Sequence, residues 1–454
     1  MTAVLVVNHE ALSERMTGPS IRNWEISAVL AGEHDVTLGV PGATERSHPA
    51  FKVVAYDDES LEALVRDHEV VLASGYLLDR HPSLGRARHL VADLYDPFPL
   101  ENLHMHTAAS PEEQYRIAAY DRAVLTRLIR AGDVFLCASE RQRDFWTGWM
   151  TAAGRVNPFT HAADPSLSSL LLIVPFGISE EPPMASQPVF RGMTRGISST
   201  DFLVLWGGGI WNWFDPLTLI RAAADLAEGL PNLRVLFPAP GSPSEQVLPM
   251  HMAIEARALS DSLGLTDRVV FFGKSWVPYD QRGAMLLEAD LGVSLHLEDV
   301  ETRFSFRTRV LDYLWAGLPI LTTEGDSMSD LVANEDLGAV VPYGDVAAVA
   351  QAIATLATDP DRRKACASRS AAVATRFHWS AAAAPLAEYC RAPYVAPDRV
   401  ALREESPGQP WTGEQPARLE AGRLLGRSWQ TLRSEGPGKL LSRGRVYMKR
   451  RLRD

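Results

Sequence analysis

Short apolar runs alternate along this chain with longer stretches in which apolar positions recur every three to four residues. That alternation reads as repeated β-α units around parallel sheets. Strands are predicted at Ala3–Asn8, Asp35–Val40, Glu69–Ala73, His89–Leu94, Asp133–Ala138 and Leu170–Pro175. Their continuous apolarity implies burial on both faces. From Gly177 to about Ser199 the pattern lapses into Pro, Ser and Gly. It then restarts at Phe202–Trp206, Leu233–Phe237, Val269–Phe272, Leu291–Leu295, Pro319–Thr322 and Ala339–Val341. The second half thus repeats the architecture of the first. The predicted fold is α/β, with two tandem Rossmann-like, doubly wound domains whose sheet ends face a shared cleft. Residues 1–178 form the first domain, 179–199 a linker, 200–391 the second domain and 392–454 a Pro-rich segment with a basic tail.

A length of 454 residues and 46% hydrophobic composition suffice for two cores of this kind. The net charge of −11 hides an asymmetry. Residues 417–454 carry eleven Lys or Arg against three acidic residues, a net +8, so the rest of the chain carries −19. An acidic body argues against nucleic acid as a partner, whereas the tail calls for an anionic one. Leu440, Leu441, Tyr447, Met448 and Leu452 fit one helical face ringed by Lys and Arg. This makes an anionic membrane surface one expectation and a solvated or body-packed tail the other. Cys137, Cys366 and Cys390 are too scattered for a disulfide framework or a zinc site. No signal peptide or membrane span stands out, so a cytoplasmic protein, peripheral at most, is expected.

The densest candidate chemistry lies at Glu301–Thr323, ETRFSFRTRVLDYLWAGLPILTT. A polar loop leads there into a short amphipathic helix closed by Gly317 and then into an apolar strand. Arg307 and Arg309 open that helix, where free backbone N–H groups already make the end positive. They require an anionic ligand or a compensating carboxylate, and a diphosphate is the natural candidate. Asp312 is either a local ion-pair partner of Arg309 or an acceptor for ribose hydroxyls. Glycines end other predicted strands. Gly18 precedes a helix, Gly208 and Gly209 belong to LWGGGIWNWFDP, and VFFGKSWVPY offers Trp276 and Val277 as an aromatic and apolar slot for a base. Asp215-Pro216 has the form of a helix N-cap followed by proline. Trp206, Trp211 and Trp213 are open to core packing or to shaping a sugar site. His296, Glu298 and Glu301 follow a strand at the same edge, and Asp93, Tyr95 and Asp96 stand at the corresponding edge of the first half.

Together these residues resemble the GT-B glycosyltransferases, most closely the large GT4 family of nucleotide-sugar-dependent, retaining enzymes. The resemblance covers roughly residues 1–391. It is carried by the Gly18 loop, IVPFGIS, the VVFFGK strand, and DYLWAGLPILTT in the place of the family's E-A-M-A-x-G-x-P-V-V segment. The E-x7-E signature of the family is degenerate here. Asp312 stands for its second glutamate, Phe304 occupies the place of the first, and Glu298 or Glu301 is the nearest substitute. The resemblance implies transfer of a sugar from a nucleotide-diphosphate donor to a saccharide or lipid-linked saccharide of surface polysaccharide or glycoconjugate biosynthesis. No metal and no cofactor beyond the nucleotide-sugar co-substrate are expected. On this reading Glu301 and Asp93 are the catalytic candidates. Gly18, Gly208, Gly209, Trp276, Arg307, Arg309 and Asp312 are the donor-binding candidates. A GT-B-fold nucleotide-sugar epimerase and a noncatalytic nucleotide-sugar-binding subunit are the competing readings.

Overall fold

The computed structural model describes residues 1–185, 188–239, 250–273 and 276–404. The basic tail and its predicted helix lie outside these residues. Two wholly parallel sheets dominate. The first contains β1 (Ala3–Val7), β2 (Asp35–Pro41), β3 (Lys52–Tyr56), β4 (Val70–Ser74), β5 (His89–Asp93), β6 (Val134–Cys137) and β7 (Leu171–Ile173), in the order β3-β2-β1-β4-β5-β6-β7. The second contains β8 (Phe202–Leu205), β9 (Leu233–Phe237), β10 (Val270–Phe272), β11 (Leu291–Ser294), β12 (Ile320–Thr323) and β13 (Gly338–Val341), in the order β10-β9-β8-β11-β12-β13. Every strand expected from the sequence is present. β3 is additional, an edge strand whose Lys52 and Ala55 are exposed and whose partly covered face leaves no continuous apolar run.

Both sheets reverse their winding beside the first strand of each, between β1 and β4 and between β8 and β11. Crevices at the carboxyl ends of such strands are where ligands of doubly wound sheets sit. Core side chains of the two domains form one apolar cluster, with Val6, Leu38 and Val174 of the first joined to Leu205, Leu311 and Ile320 of the second. Polar bonds also span the cleft. Gln142 Nε2 donates to the carbonyls of Tyr95 (2.9 Å) and Phe304 (3.0 Å), and Tyr279 Oη donates to Glu25 (2.7 Å). Phe304, in the position where the resemblance expects a glutamate, packs on Phe145 of the first domain with ring centroids 4.8 Å apart.

The second domain does not run to residue 391. At His378 the chain pairs with Ile178 and crosses back, and the segment that follows completes the first domain. The Trp379 ring lies directly against Gly177, where a Cβ would come within 2.5 Å of Trp379 Cδ2, so only glycine fits. Thr2 Oγ1 bonds the Cys390 carbonyl at 2.7 Å, and Tyr394 Oη bonds the Ser169 carbonyl. Asp398 and Arg155, both fully buried, form a two-pronged ion pair at 2.9 and 3.0 Å. Helical periodicity in residues 379–391 is legible in the sequence, but the sheet on which they lie depends on these partners more than 200 positions away.

Candidate functional site

A cavity of about 460 Å³ lies between the two domains. It is lined by the loops that leave β1, β5, β8, β10 and β11, all at the carboxyl ends of their strands. The described part of this cavity brings together Gly18, Gly208, Gly209, Trp276, Arg307, Arg309 and Asp312. Glu301 and Asp93 do not line it.

On the second-domain side, β8 ends at Gly207–Gly209. Gly208 has φ +100°, a backbone conformation that side chains rarely adopt. The Gly207 amide donates to Tyr313 Oη at 2.7 Å, which in turn donates to the Val293 carbonyl at 2.8 Å and so ties the loop to β11. Arg309 stands beside this loop, over the ring of Phe214 at 4.0 Å and near that of Trp206 at 4.9 Å. Its Nη2 donates to the Gly209 carbonyl at 3.0 Å, while Nη1 has no hydrogen-bond partner among the described residues. Among the described residues no carboxylate forms an ion pair with it; burial pulls its pKa down to about 10, and the charge of Asp312 offsets only part of that cost. The helix it opens, Thr308–Trp315, has no side-chain cap, so its N-terminal amides add to the positive end.

Arg307 is different. Glu301, with 0% exposure, takes both of its terminal nitrogens at 2.9 and 2.6 Å. Ser305 Oγ donates to the same carboxylate. The charge of Arg307 is therefore spent inside the protein, and Glu301, expected as a catalytic group, is its buried counter-ion. The Arg309–Asp312 ion pair, one of the two readings of Asp312, is not formed. Asp312 lies 3.4 Å from Arg282, whose guanidinium is sandwiched by Tyr279 at 4.7 Å and Trp315 at 5.0 Å. Burial raises the Asp312 pKa, and Arg282 opposes that shift. His296 is structural. It is fully buried, with Ser294 and Thr323 hydroxyls each 2.9 Å from its ring nitrogens, and burial holds its pKa well below the usual histidine range. Asp215 caps the Pro216–Leu226 helix through the Thr218 amide at 3.0 Å, as its sequence context implies. Trp211 and Trp213 stack in parallel on the cavity wall, with centroids 5.7 Å apart, whereas Trp206 is core.

On the first-domain side, Gly18 begins the Gly18–Leu30 helix, again with no side-chain cap. A Cβ there would meet nothing within 4 Å, so the position is open. Asp93 lies instead on a smaller chamber of about 170 Å³. Both of its oxygens are held by Arg22, at 2.6 and 3.2 Å, and Arg22 also bonds the Val174 and Pro175 carbonyls. Asp93 thus fastens the first helix to the sheet, and a free carboxylate for catalysis is not available there.

Two carboxyl groups do face the cavity: Asp96, which the sequence places at this sheet edge, and Glu101, which it does not single out. Asp96 and Glu101 are hydrogen-bonded to each other, Glu101 standing in the first turn of the Phe98–Met105 helix. Burial pushes Asp96 up to about 6, and burial together with the Asp96 charge pushes Glu101 well above the ordinary range. The signal available in DPFPLE was weak: two acids five positions apart meet only because the chain turns at Pro97.

Asp326 offers a pH test of this network. Its Oδ1 caps the Ser327–Asn334 helix through the amides of Met328 and Ser329, each at 2.7 Å. Its Oδ2 has no hydrogen-bond partner among the described residues and lies 3.7 Å from Arg307 Nε. Burial outweighs that arginine and raises the Asp326 pKa to about 6. A carboxyl raised in the folded state favours folding below its unfolded pKa, near 4, and loses that contribution as pH rises through 6. Asn caps a helix about as well as Asp and cannot ionise. Asp326→Asn should therefore gain on the wild type by roughly 2–3 kcal/mol between pH 4 and pH 7 in urea unfolding. A difference that stays constant across that range would show that Asp326 does not titrate there.

Residues 202–359 match the family model described as glycosyl transferases group 1. No curated protein matches the chain. Among solved structures, the sucrose-phosphate synthase of Thermosynechococcus elongatus is similar at 14% identity and TM-score 0.59, covering 86% of this chain and 98% of its own. Anabaena HepE, solved in complex with UDP-glucose, is similar at 15% identity and TM-score 0.59, over 86% of this chain and 100% of its own. The α,α-trehalose 6-phosphate synthase of Burkholderia multivorans reaches TM-score 0.59 at 12% identity, over 90% and 99%. At such identities the likeness establishes architecture. This chain has the GT-B fold, and its second domain, over residues 202–359, matches the glycosyl transferases group 1 family.

Proposed function

We propose that this protein is a glycosyltransferase that moves a sugar from a nucleotide-diphosphate donor to a hydroxyl acceptor in the interdomain cleft. The observation that carries this reading is Arg309, a buried cation with no ion-pair partner among the described residues. It is placed at the Gly207–Gly209 loop and at an uncapped helix N-terminus. These features suit a diphosphate, whose charge grows as its bond to the sugar breaks, while the acceptor oxygen bonds to the anomeric carbon and passes its proton to the departing diphosphate. Gly18 lets the opposite helix N-terminus approach the same group. Asp312 lies within the cavity wall as the acceptor for ribose hydroxyls, and Trp276 with Val277 as the wall for the base. Arg309 and the backbone amides supply the charge stabilisation, and the reading includes no cofactor besides the nucleotide sugar.

The acceptor is a saccharide, free or lipid-linked, of a surface polysaccharide or glycoconjugate. The net +8 of residues 417–454 supports work at an anionic membrane surface from the cytoplasmic side. Among the described residues no helix is long and apolar enough to cross a membrane. Retention of anomeric configuration follows the resemblance in the second domain.

The test is the thermal shift of the purified chain with UDP, GDP, dTDP, ADP and CDP, followed by incubation with the matching nucleotide sugars. UDP comes first, because UDP-glucose occupies the HepE structure. Selective stabilisation by one nucleotide, with slow release of it from its sugar, is expected. Stabilisation without any release would point to a binding subunit, and no stabilisation by any nucleotide would remove the donor site.

A further inference from the structure

The charged groups of the cleft divide by domain. The second-domain wall presents three arginines, Arg282, Arg307 and Arg309. Two are spent, on Asp312 and Glu301. The third, 8% exposed and with an unpartnered Nη1, is the free cation of the described cavity, and it marks where an anionic ligand goes. The described residues of the first-domain wall include no Lys or Arg at all. Its ionisable groups are Glu10, Asp96, Glu101, Tyr95 and His9.

Of these, Glu10 is committed locally, since Ser20 Oγ donates to it at 2.6 Å and Thr17 Oγ1 donates to it as well. Burial lowers the His9 pKa and favours the neutral ring. Asp96 and Glu101 bond to each other, and both line the cavity. In the adjoining chamber, Arg22 is spent on Asp93, and Arg80 lies at the exposed rim over the Tyr76 ring, 5.8 Å from its centroid.

We propose that the Asp96–Glu101 carboxyl pair makes the first-domain wall, the acceptor side of the cleft on the transferase reading, select acceptors whose reacting end is an uncharged polyol or an amino sugar and reject phosphorylated ones. This rests on the transferase reading above and names its acceptor class. A phosphate at this wall would face two carboxyls, and the cation that acts on Glu101 from the opposite wall, Arg307, is already held by Glu301, so the arrangement is like-charged inside a cleft that screens poorly. A sugar hydroxyl can donate to the ionised member of the pair and accept from the protonated one. An ammonium group would replace the shared proton. The parallel Trp211–Trp213 stack on the facing wall offers an apolar surface for the C–H face of a sugar ring. The free cation lies on the donor side and the carboxyl pair on the acceptor side, so one cavity can hold a diphosphate and exclude a second phosphate.

The test uses the full chain and thermal shift with glucosamine, glucose and glucose 6-phosphate at equal concentration, each with and without the nucleotide that binds. Glucosamine, and more weakly glucose, should raise the melting temperature by about 2 °C or more at concentrations well above Kd. Glucose 6-phosphate should not. In the double variant Asp96→Asn, Glu101→Gln the amino-sugar preference should disappear, while the nucleotide still stabilises the protein, which shows that the variant is folded. A shift with glucose 6-phosphate equal to that with glucosamine overturns the proposal. So does a preference that survives the double substitution, or the absence of a shift with any of the three. Failure of every nucleotide to bind is a separate result, against the donor site, and the acceptor probes without nucleotide still decide this one.

Discussion

Glu301→Ala lowers the free energy of unfolding by about 3–5 kcal/mol, the range seen when one partner of a buried ion pair is removed. The cost has a specific source. Glu301 has 0% exposure and holds both terminal nitrogens of Arg307, and its loss strands a buried guanidinium. What remains near that cation is the Thr302 hydroxyl at 3.3 Å and Asp326 at 3.7 Å, neither with two-pronged geometry. Replacing both residues, Glu301→Leu with Arg307→Met, should recover most of the loss, because an apolar pair needs no counter-ion. Urea unfolding of the three proteins measures this directly. A single-variant cost under about 1 kcal/mol would mean that water already reaches Arg307, and the separation drawn between the two arginines would fail.

Arg309→Met gives the opposite pattern. Without ligand the variant should be at least as stable as the wild type, since methionine keeps the packing on Phe214 and removes a buried cation that has no ion-pair partner among the described residues. Binding of the nucleoside diphosphate should weaken by about 1.5–3 kcal/mol, roughly 10- to 150-fold in Kd, the scale of a hydrogen-bonded charge pair. Calorimetric titration with the nucleotide that stabilises the wild type reads the change. An unaltered Kd would assign the phosphates elsewhere and leave Arg309 as a support for the Gly207–Gly209 loop.

The strands were legible because parallel strands covered on both faces are written as continuous apolar runs, and β5 or β11 could hardly be anything else. β3 was not, since an edge strand with Lys52 outward has neither a long run nor a clean alternation. Site residues followed a similar division. Gly18, Gly208, Gly209 and the arginines could be placed because a glycine or a cation at a strand-to-helix junction has a local physical meaning. Which carboxylate answers which arginine could not be read. Glu301 takes Arg307 and Asp312 takes Arg282 through folding geometry, and Asp93 meets Arg22 across 71 residues. The same limit hid Glu101, which becomes part of the cleft only through the turn at Pro97.

The return of the chain at His378 determines how the two halves can move. The outgoing strand at Ile178 and the incoming one at His378 are bonded side by side, with the Trp379 amide on the Ile178 carbonyl at 3.0 Å and the Ile178 amide on the Phe377 carbonyl at 2.8 Å. Both passages between domains therefore share one two-ply pivot, stiffened by the indole seated on Gly177. A rotation about that line would swing Arg309 away from Gly18 while keeping these bonds. For the same reason neither half is a separable module: a fragment ending before residue 378 would leave the first sheet without its final cover.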